Sequence, residues 1–188
     1  GMMIGLGCAH DLFNLWVWFE GMAITSYMLV AFYHHQSASL EAGIKYLVQS
    51  AVGSVFVLLG VALLFLEAGA LNLSAIHQAL AAGASPVVWV AGALLLIGFG
   101  VKTALVPMHT WLPDAHSQAP SGISAMLSGV VIEAGLVAML RSLAVLPNMA
   151  ETWGYLLLGF GALNMLLGNL MALRQTQVKR LLAYSSLA

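Results

Sequence analysis

The chain has 188 residues, 61% of them hydrophobic and 7% charged, with a formal net charge of −1 and a mean hydropathy of +0.95. Soluble domains carry about a quarter charged residues, so a chain this apolar has lipid as its solvent over much of its surface. With no basic run the electrostatic basis for nucleic-acid binding is missing, and a single cysteine, Cys8, excludes an internal disulfide framework or an iron–sulfur site.

GMMIGLGCA, residues 1–9, reads as the tail of an earlier span. Five apolar segments of spanning length follow. Residues 12–33 open after Asp11, which is placed as an N-cap. Residues 43–66 are entered through Glu41 and Lys45, an i,i+4 pair in the favourable order. In the connection 67–86, LSAIHQALAAG predicts a short amphipathic interfacial helix with Ser74 as N-cap and Gly83 as stop; Asn72-Leu73-Ser74 is a glycosylation sequon in spelling only. Residues 87–112, 122–143 and 153–173 are the remaining segments. KRLLAYSSLA begins a sixth near Leu181, short of the ~20 residues a crossing needs. The expected fold is all-α: a polytopic transmembrane helix bundle of five full spans plus partial spans at both ends. Residues 1–188 would form one transmembrane domain, an internal part of a longer subunit.

Orientation follows from lysine and arginine. One set of connections receives Lys45, Arg174, Lys179 and Arg180, the other only Arg141. The connections 34–45, 113–121 and 174–180 are therefore expected on the cytoplasmic side of a bacterial or archaeal plasma membrane.

Three ionisable residues fall near mid-span: Glu20, Lys102 and Glu133. A central charge costs about 2.5–3.5 kcal/mol on insertion scales, the return from roughly five to ten good apolar residues. Such groups should face protein or water and pair. Glu20 and Lys102 have opposite signs at similar depth, and separating them would favour the neutral form of each, which makes a proton switch. Glu133 is a second acceptor for the Lys102 charge. A static ion pair that fixes helix register is the competing reading.

Pro107 lies in the same run, FGVKTALVPMHTWLPDAHSQAP. Proline has no N–H and clashes with the carbonyl four residues before it, here Thr103, so the third span is expected to be interrupted near Pro107. Broken helices mark ion sites in transporters. His109, seven residues after Lys102, would share its face in a continuous helix and is a candidate proton carrier. Asp114 and His116 are expected to cap and order the loop. No zinc signature is present, GFGVK lacks the full phosphate-loop pattern, and no nucleophile–base pattern occurs, so no metal, cofactor or catalytic centre is expected on this chain.

DLFNLWVWFEGMAITSYMLVAFY, EAGIKYLVQSAVGS, VKTALVPMHTWLPDAHSQAPSGISAMLSG and ALRQTQVKRLLAYSSLA together resemble the antiporter-like membrane subunits of proton-pumping NADH:quinone oxidoreductase (complex I), Mrp-type sodium/proton antiporters and membrane-bound hydrogenases. The resemblance runs over nearly the whole chain, and VPMHTWLPDAHSQAP is its specific part. It implies a subunit of about fourteen spans in two inverted repeats, with Glu20 and Lys102 on the positions of a glutamate–lysine pair that drives proton movement. Many relatives carry a lysine or histidine where this chain has Glu133, which reverses the charge at that station. The expected function is proton translocation, with sodium as a second candidate ion, in a bilayer and beside other membrane subunits that hold any electron chemistry. The alternative is a non-conducting scaffold for a redox or antiporter complex.

Overall fold

The computed structural model describes residues 1–81, 83, 85–146 and 149–188. Ten α-helices and one π-helical turn form among these residues, and no strand does: α1 (Met2–Cys8), α2 (Leu12–Val30), α3 (Ser37–Ala68), α4 (Leu73–Ala79), α5 (Pro86–Lys102), α6 (Trp111–Gln118), α7 (Ser121–Met126), the π turn Leu127–Val131, α8 (Ile132–Ala144), α9 (Ala150–Ala172) and α10 (Val178–Leu187). Three stretches are long and apolar enough to cross a membrane: Ser37–Ala68, the continuous helix Ser121–Ala144, and Ala150–Ala172. The apolar α5 has 17 residues.

Local chemistry sets the helix ends. Asp11 caps α2 through Asn14 N–H at 2.6 Å, and Pro86 occupies the first turn of α5, where its missing N–H costs nothing. Gly69, at φ 65°, ends α3 in the left-handed conformation that glycine adopts without strain. Asn72, not Ser74, caps α4, accepting from Ser74 and Ala75 N–H. Its neighbours also tie α4 to the start of α2, through Leu12 N–H to Leu71 O and Leu73 N–H to His10 O. That helix stops at Ala79, ahead of Gly83.

The centre of the bundle is α3 packed along α5, with α2 and α6 also on α3 and α8 on α5. The two long helices meet closely at Gly53 and Gly98: a Cβ on Gly98 would lie 2.6 Å from the Gly53 carbonyl oxygen. That approach brings the C-terminal end of α5, and with it Lys102, against α3.

The third apolar segment does not run to residue 112. It stops at Lys102, five residues before the proline. Ala104 takes the left-handed conformation (φ 55°), Leu105 N–H bonds Gly100 O at 2.8 Å, and Ala104 N–H bonds Val101 O at 3.3 Å. These are the two reverse bonds of a Schellman end, with alanine where glycine is usual. The chain then crosses 103–110 without helix and resumes as α6. Thr103 is therefore the last cap of α5, not an interior residue whose carbonyl the proline ring displaces.

Candidate functional site

Lys102 is 1% exposed. Its ammonium donates to Ser26 Oγ on α2 at 3.0 Å and to the Tyr46 hydroxyl on α3. Ser26 and Tyr46 are themselves joined at 2.9 Å, and the Tyr46 ring is stacked on Trp111 with centroids 4.0 Å apart. Trp111 also donates its indole N–H to Val101 O at 2.7 Å. It thus adds a second, shorter bond to a carbonyl that already takes Ala104 N–H, and braces the tyrosine that holds the lysine.

Glu20 is half-buried on α2. It accepts from Ser54, which accepts from Trp16 Nε1 at 2.9 Å. The structure therefore does not bring Glu20 and Lys102 into direct contact. Among the described residues, the ion pairs within 4.0 Å are Lys45–Glu41, Lys45–Asp114 and Arg180–Asp114. Each member of the expected pair rests on its own hydroxyls.

Glu133 is exposed, at the start of α8 just after the π turn. The residue of α8 that faces the lysine is Gly135, whose Cβ would sit 3.2 Å from Lys102 Cγ. Two residues on a helix are separated by about 200°, so Glu133 points off the bundle and not at Lys102. His109 falls in the non-helical stretch, so the seven-residue spacing does not put it on Lys102's face. It is half-buried, and its Nδ1 is buried without a hydrogen-bond partner.

Backbone freed by the break needs partners, since lipid offers none. Asn164 of α9 supplies them: its Oδ1 accepts from Val106 N–H at 2.8 Å, and its Nδ2 donates to Ala104 O at 3.4 Å. An amide within an apolar span is a signal of sorts, but Asn14, Gln49 and Asn169 share it, so the sequence does not single out Asn164. The hydroxyls of Ser26, Tyr46 and Ser54 carried no signal of their own.

Beyond the break, α6 is pinned at both ends of its run. Asp114 takes Lys45 at 3.1 Å and Arg180 at 2.7 Å, and Lys179 donates to Ala119 O at 2.8 Å. His116 is 2% exposed. Its Nδ1 lies 2.7 Å from Ser124 Oγ, and its Nε2 has no partner. Burial, reinforced by the Lys179 charge, pushes its pKa down to about 4. It borders an open cavity of about 470 Å³ whose polar lining includes Ser124, Ser128, Lys179, Ser185 and Ser186. His109, Asp114 and His116 are not gathered as a metal would require; no three such ligands are, among the described residues. At the opposite end of the bundle, Arg141 caps the carbonyls of Leu6, Gly7 and Ala9 at the end of α1.

An all-helical apolar bundle, broken beside a buried lysine, defines a polytopic membrane protein with an interrupted helix. Residues 9–188 match the family described as NADH:quinone oxidoreductase/Mrp antiporter, transmembrane, and the chain belongs to that family. Curated relatives include NADH-quinone oxidoreductase subunit N of Desulfitobacterium hafniense, 40% identical over 100% of this chain and 38% of the relative. The same subunit of Ectopseudomonas mendocina is 41% identical over 97% and 37%. The chain thus spans about two-fifths of their length. Among solved structures, a chain of an archaeal membrane-bound sulfane sulfur reductase superposes with TM-score 0.93 at 37% identity, over 99% of this chain and 38% of that one. A chain of respiratory complex I from Thermus thermophilus does so with TM-score 0.82 at 33% identity, over 100% and 40%.

Proposed function

We propose that this chain is the proton-handling part of an antiporter-like subunit in a complex I-type assembly, with Lys102 as the loading group and Glu20 as its partner. The observation that carries the reading is the state of Lys102: a buried amine, at a helix break, held by neutral hydroxyls and by the Tyr46 ring, whose centroid is 4.6 Å away. No carboxylate contact fixes its charge, so its protonation can follow the position of Glu20. A register pin would instead need the two residues in contact.

In this reading α2, α3, α5, α7–α8 and α9 are the five spans, and residues 1–188 are one transmembrane domain of a longer subunit. The ends bearing Lys45, Lys179 and Arg180 face the cytoplasm. Protons arrive through the serine-lined cavity beside His116 and pass the break around Pro107 and His109. Glu133, exposed on the outer face of α8, carries charge away from this bundle and not back to Lys102. NADH:quinone oxidoreductase relatives supply the assembly; protons are the ion, with sodium the competing one.

The test is Lys102→Met in the full-length subunit of the native complex, with proton pumping and electron transfer measured side by side. Loss of pumping in an assembled complex is expected. Unchanged pumping in sodium-free buffer rejects the relay and leaves a scaffold.

A further inference from the structure

Two cavities on the outside of the bundle share a wall. The first, about 120 Å³, is polar and is lined by Glu41 and Lys45 of α3, Asp114 and Gln118 of α6 and Arg180 of α10. The second, about 440 Å³, is an open groove between α3 and α6 with Ile44, Val48 and Trp111 as its apolar lining. Lys45 and Asp114 border both. Gln49 and Thr110 close the groove, bonded to each other at 2.6 Å. Beyond it the apolar surface continues along α3. Ile44, Val48, Val52 and Val55 are each about half exposed, and steps of three and four keep them on one face of the helix. From Ile44 to Val55 the helix rises ~16 Å, about one leaflet of a ~30 Å hydrocarbon core. A charged cavity that opens into an apolar strip one leaflet long matches an amphiphile with its headgroup at the membrane surface.

Charge narrows the headgroup. The cavity holds two cations, Lys45 and Arg180, and two carboxylates, Glu41 and Asp114, so its sum is zero. An ammonium has three N–H donors. Glu41 and Asp114 take two from Lys45, at 2.7 and 3.1 Å, which leaves one for a phosphate oxygen. Arg180 reaches Asp114 through a terminal nitrogen, and its Nε is buried with no partner among the described residues. On the acceptor side both Asp114 oxygens are engaged. Glu41 meets Lys45 through Oε1, and its other oxygen forms no ion pair among the described residues. A headgroup that carries a phosphate and a primary ammonium therefore finds an unused partner for each. A purely anionic headgroup would face Glu41 with nothing to offset it, and a trimethylammonium has no N–H to give.

We propose that α3 and α6 bind a zwitterionic phospholipid of the ethanolamine type. Its phosphate rests on Lys45, its ammonium on Glu41, and one acyl chain lies in the groove and along the stripe from Ile44 to Val55. The chain also packs on Trp111, which is stacked on Tyr46, the residue that holds Lys102. The lipid is thus a brace for the first turn of α6. The site stands on these cavities and charges alone and does not depend on the relay.

The experiment uses the full-length subunit in the native complex, reconstituted into phosphatidylcholine vesicles that hold a trace of phosphatidylethanolamine with a photoreactive acyl chain. Cross-links are mapped to peptides of the subunit. Labelling within residues 44–55 is expected, against the excess of choline lipid, and unlabelled phosphatidylethanolamine should displace it. Glu41→Gln removes the acceptor of the ammonium while Lys45 keeps Asp114, and is expected to lower that labelling about fivefold, the weight of one partly exposed charge contact. Val48→Trp fills the groove without altering a charge and is expected to abolish labelling there, which keeps the test decisive if the Glu41 variant assembles poorly. Phosphatidylglycerol that displaces the probe as well as phosphatidylethanolamine overturns the headgroup assignment. Labelling that survives Glu41→Gln or Val48→Trp unchanged also overturns it, because any lipid at the surface then accounts for the signal. Labelling elsewhere on the subunit but not within 44–55 overturns the site outright and leaves the groove to a protein neighbour. Proton pumping in Lys102→Met is read separately, so failure of the lipid site and failure of the relay are distinct results.

Discussion

Lys45 and Tyr46 are adjacent in sequence and serve two cation sites of opposite character. Lys45 is half-exposed and contacts two carboxylates, Glu41 at 2.7 Å and Asp114 at 3.1 Å. Tyr46 turns inward and receives Lys102, which is buried and touches no carboxylate. Charge is neutralised where water would serve almost as well, and it is left unneutralised where water is scarce. Surface pairs of the first kind contribute about 0–1 kcal/mol and are screened by salt. A buried amine without a counter-ion has instead a protonation state that depends on small movements nearby, which suits a carrier and not a pin.

The comparison breaks most severely if the buried side loses its support. Asn164→Leu keeps nearly the same volume but strands Val106 N–H and Ala104 O. Each unpaired group costs about 1–3 kcal/mol, so a loss on the order of 2–6 kcal/mol is expected in thermal unfolding of the detergent-solubilised subunit. Amide exchange at Val106 should quicken in parallel. An unchanged melting temperature in the variant removes Asn164 from this role.

A second, smaller effect sharpens the boundary between the two regions. His116 lies on α6 two residues after Asp114, with a pKa lowered by burial to about 4 against an ordinary value of 6.5. The unfolded chain takes up a proton near pH 6.5 that the fold refuses until about pH 4, so stability is retained above 6.5 and falls as pH drops through that window. The full difference is about 3 kcal/mol. His116→Gln, which keeps a hydrogen bond to Ser124 within reach, should flatten the fall in melting temperature between pH 7 and pH 4.5. Equal pH dependence in both proteins places the acid sensitivity elsewhere.

What could be read in advance divides along the same line. The Asp11 cap and the Glu41–Lys45 pair are local, and spacing along one helix is enough to find them. Lys102 and Pro107 in one apolar run announce an interruption for the same reason. The break nevertheless falls at Thr103, because an αL residue at Ala104 ends the helix before the proline is reached. That shift takes His109 off Lys102's face, since the seven-residue argument assumed an unbroken period. Contacts between distant positions had no such signal: Ser26 and Tyr46 lie 76 and 56 residues from Lys102, and serines in apolar helices are common. Hydropathy places Glu133 in a span but does not say which face of the helix meets α5; the packing of Gly135 on Lys102 shows that face.

The smallest expected effect lies on the exposed side. Asp114→Asn removes the carboxylate shared by Lys45 and Arg180, whose side chains are 50% and 40% exposed. Both cations gain water in its place, and Lys45 keeps Glu41. The expected loss is about 0.5 kcal/mol at low salt, shrinking further in 0.5 M salt, where the Debye length is well under 10 Å. Thermal unfolding of the parent and variant across that salt range measures it. A loss of several kcal/mol that persists in high salt makes Asp114 a buried hub like the Lys102 site, and the distinction between the two cation sites collapses. A small, salt-sensitive loss keeps α6 tethered mainly by Trp111 stacked on Tyr46 and bonded to Val101. The region beyond the break is then held to the lysine by the buried side of the comparison.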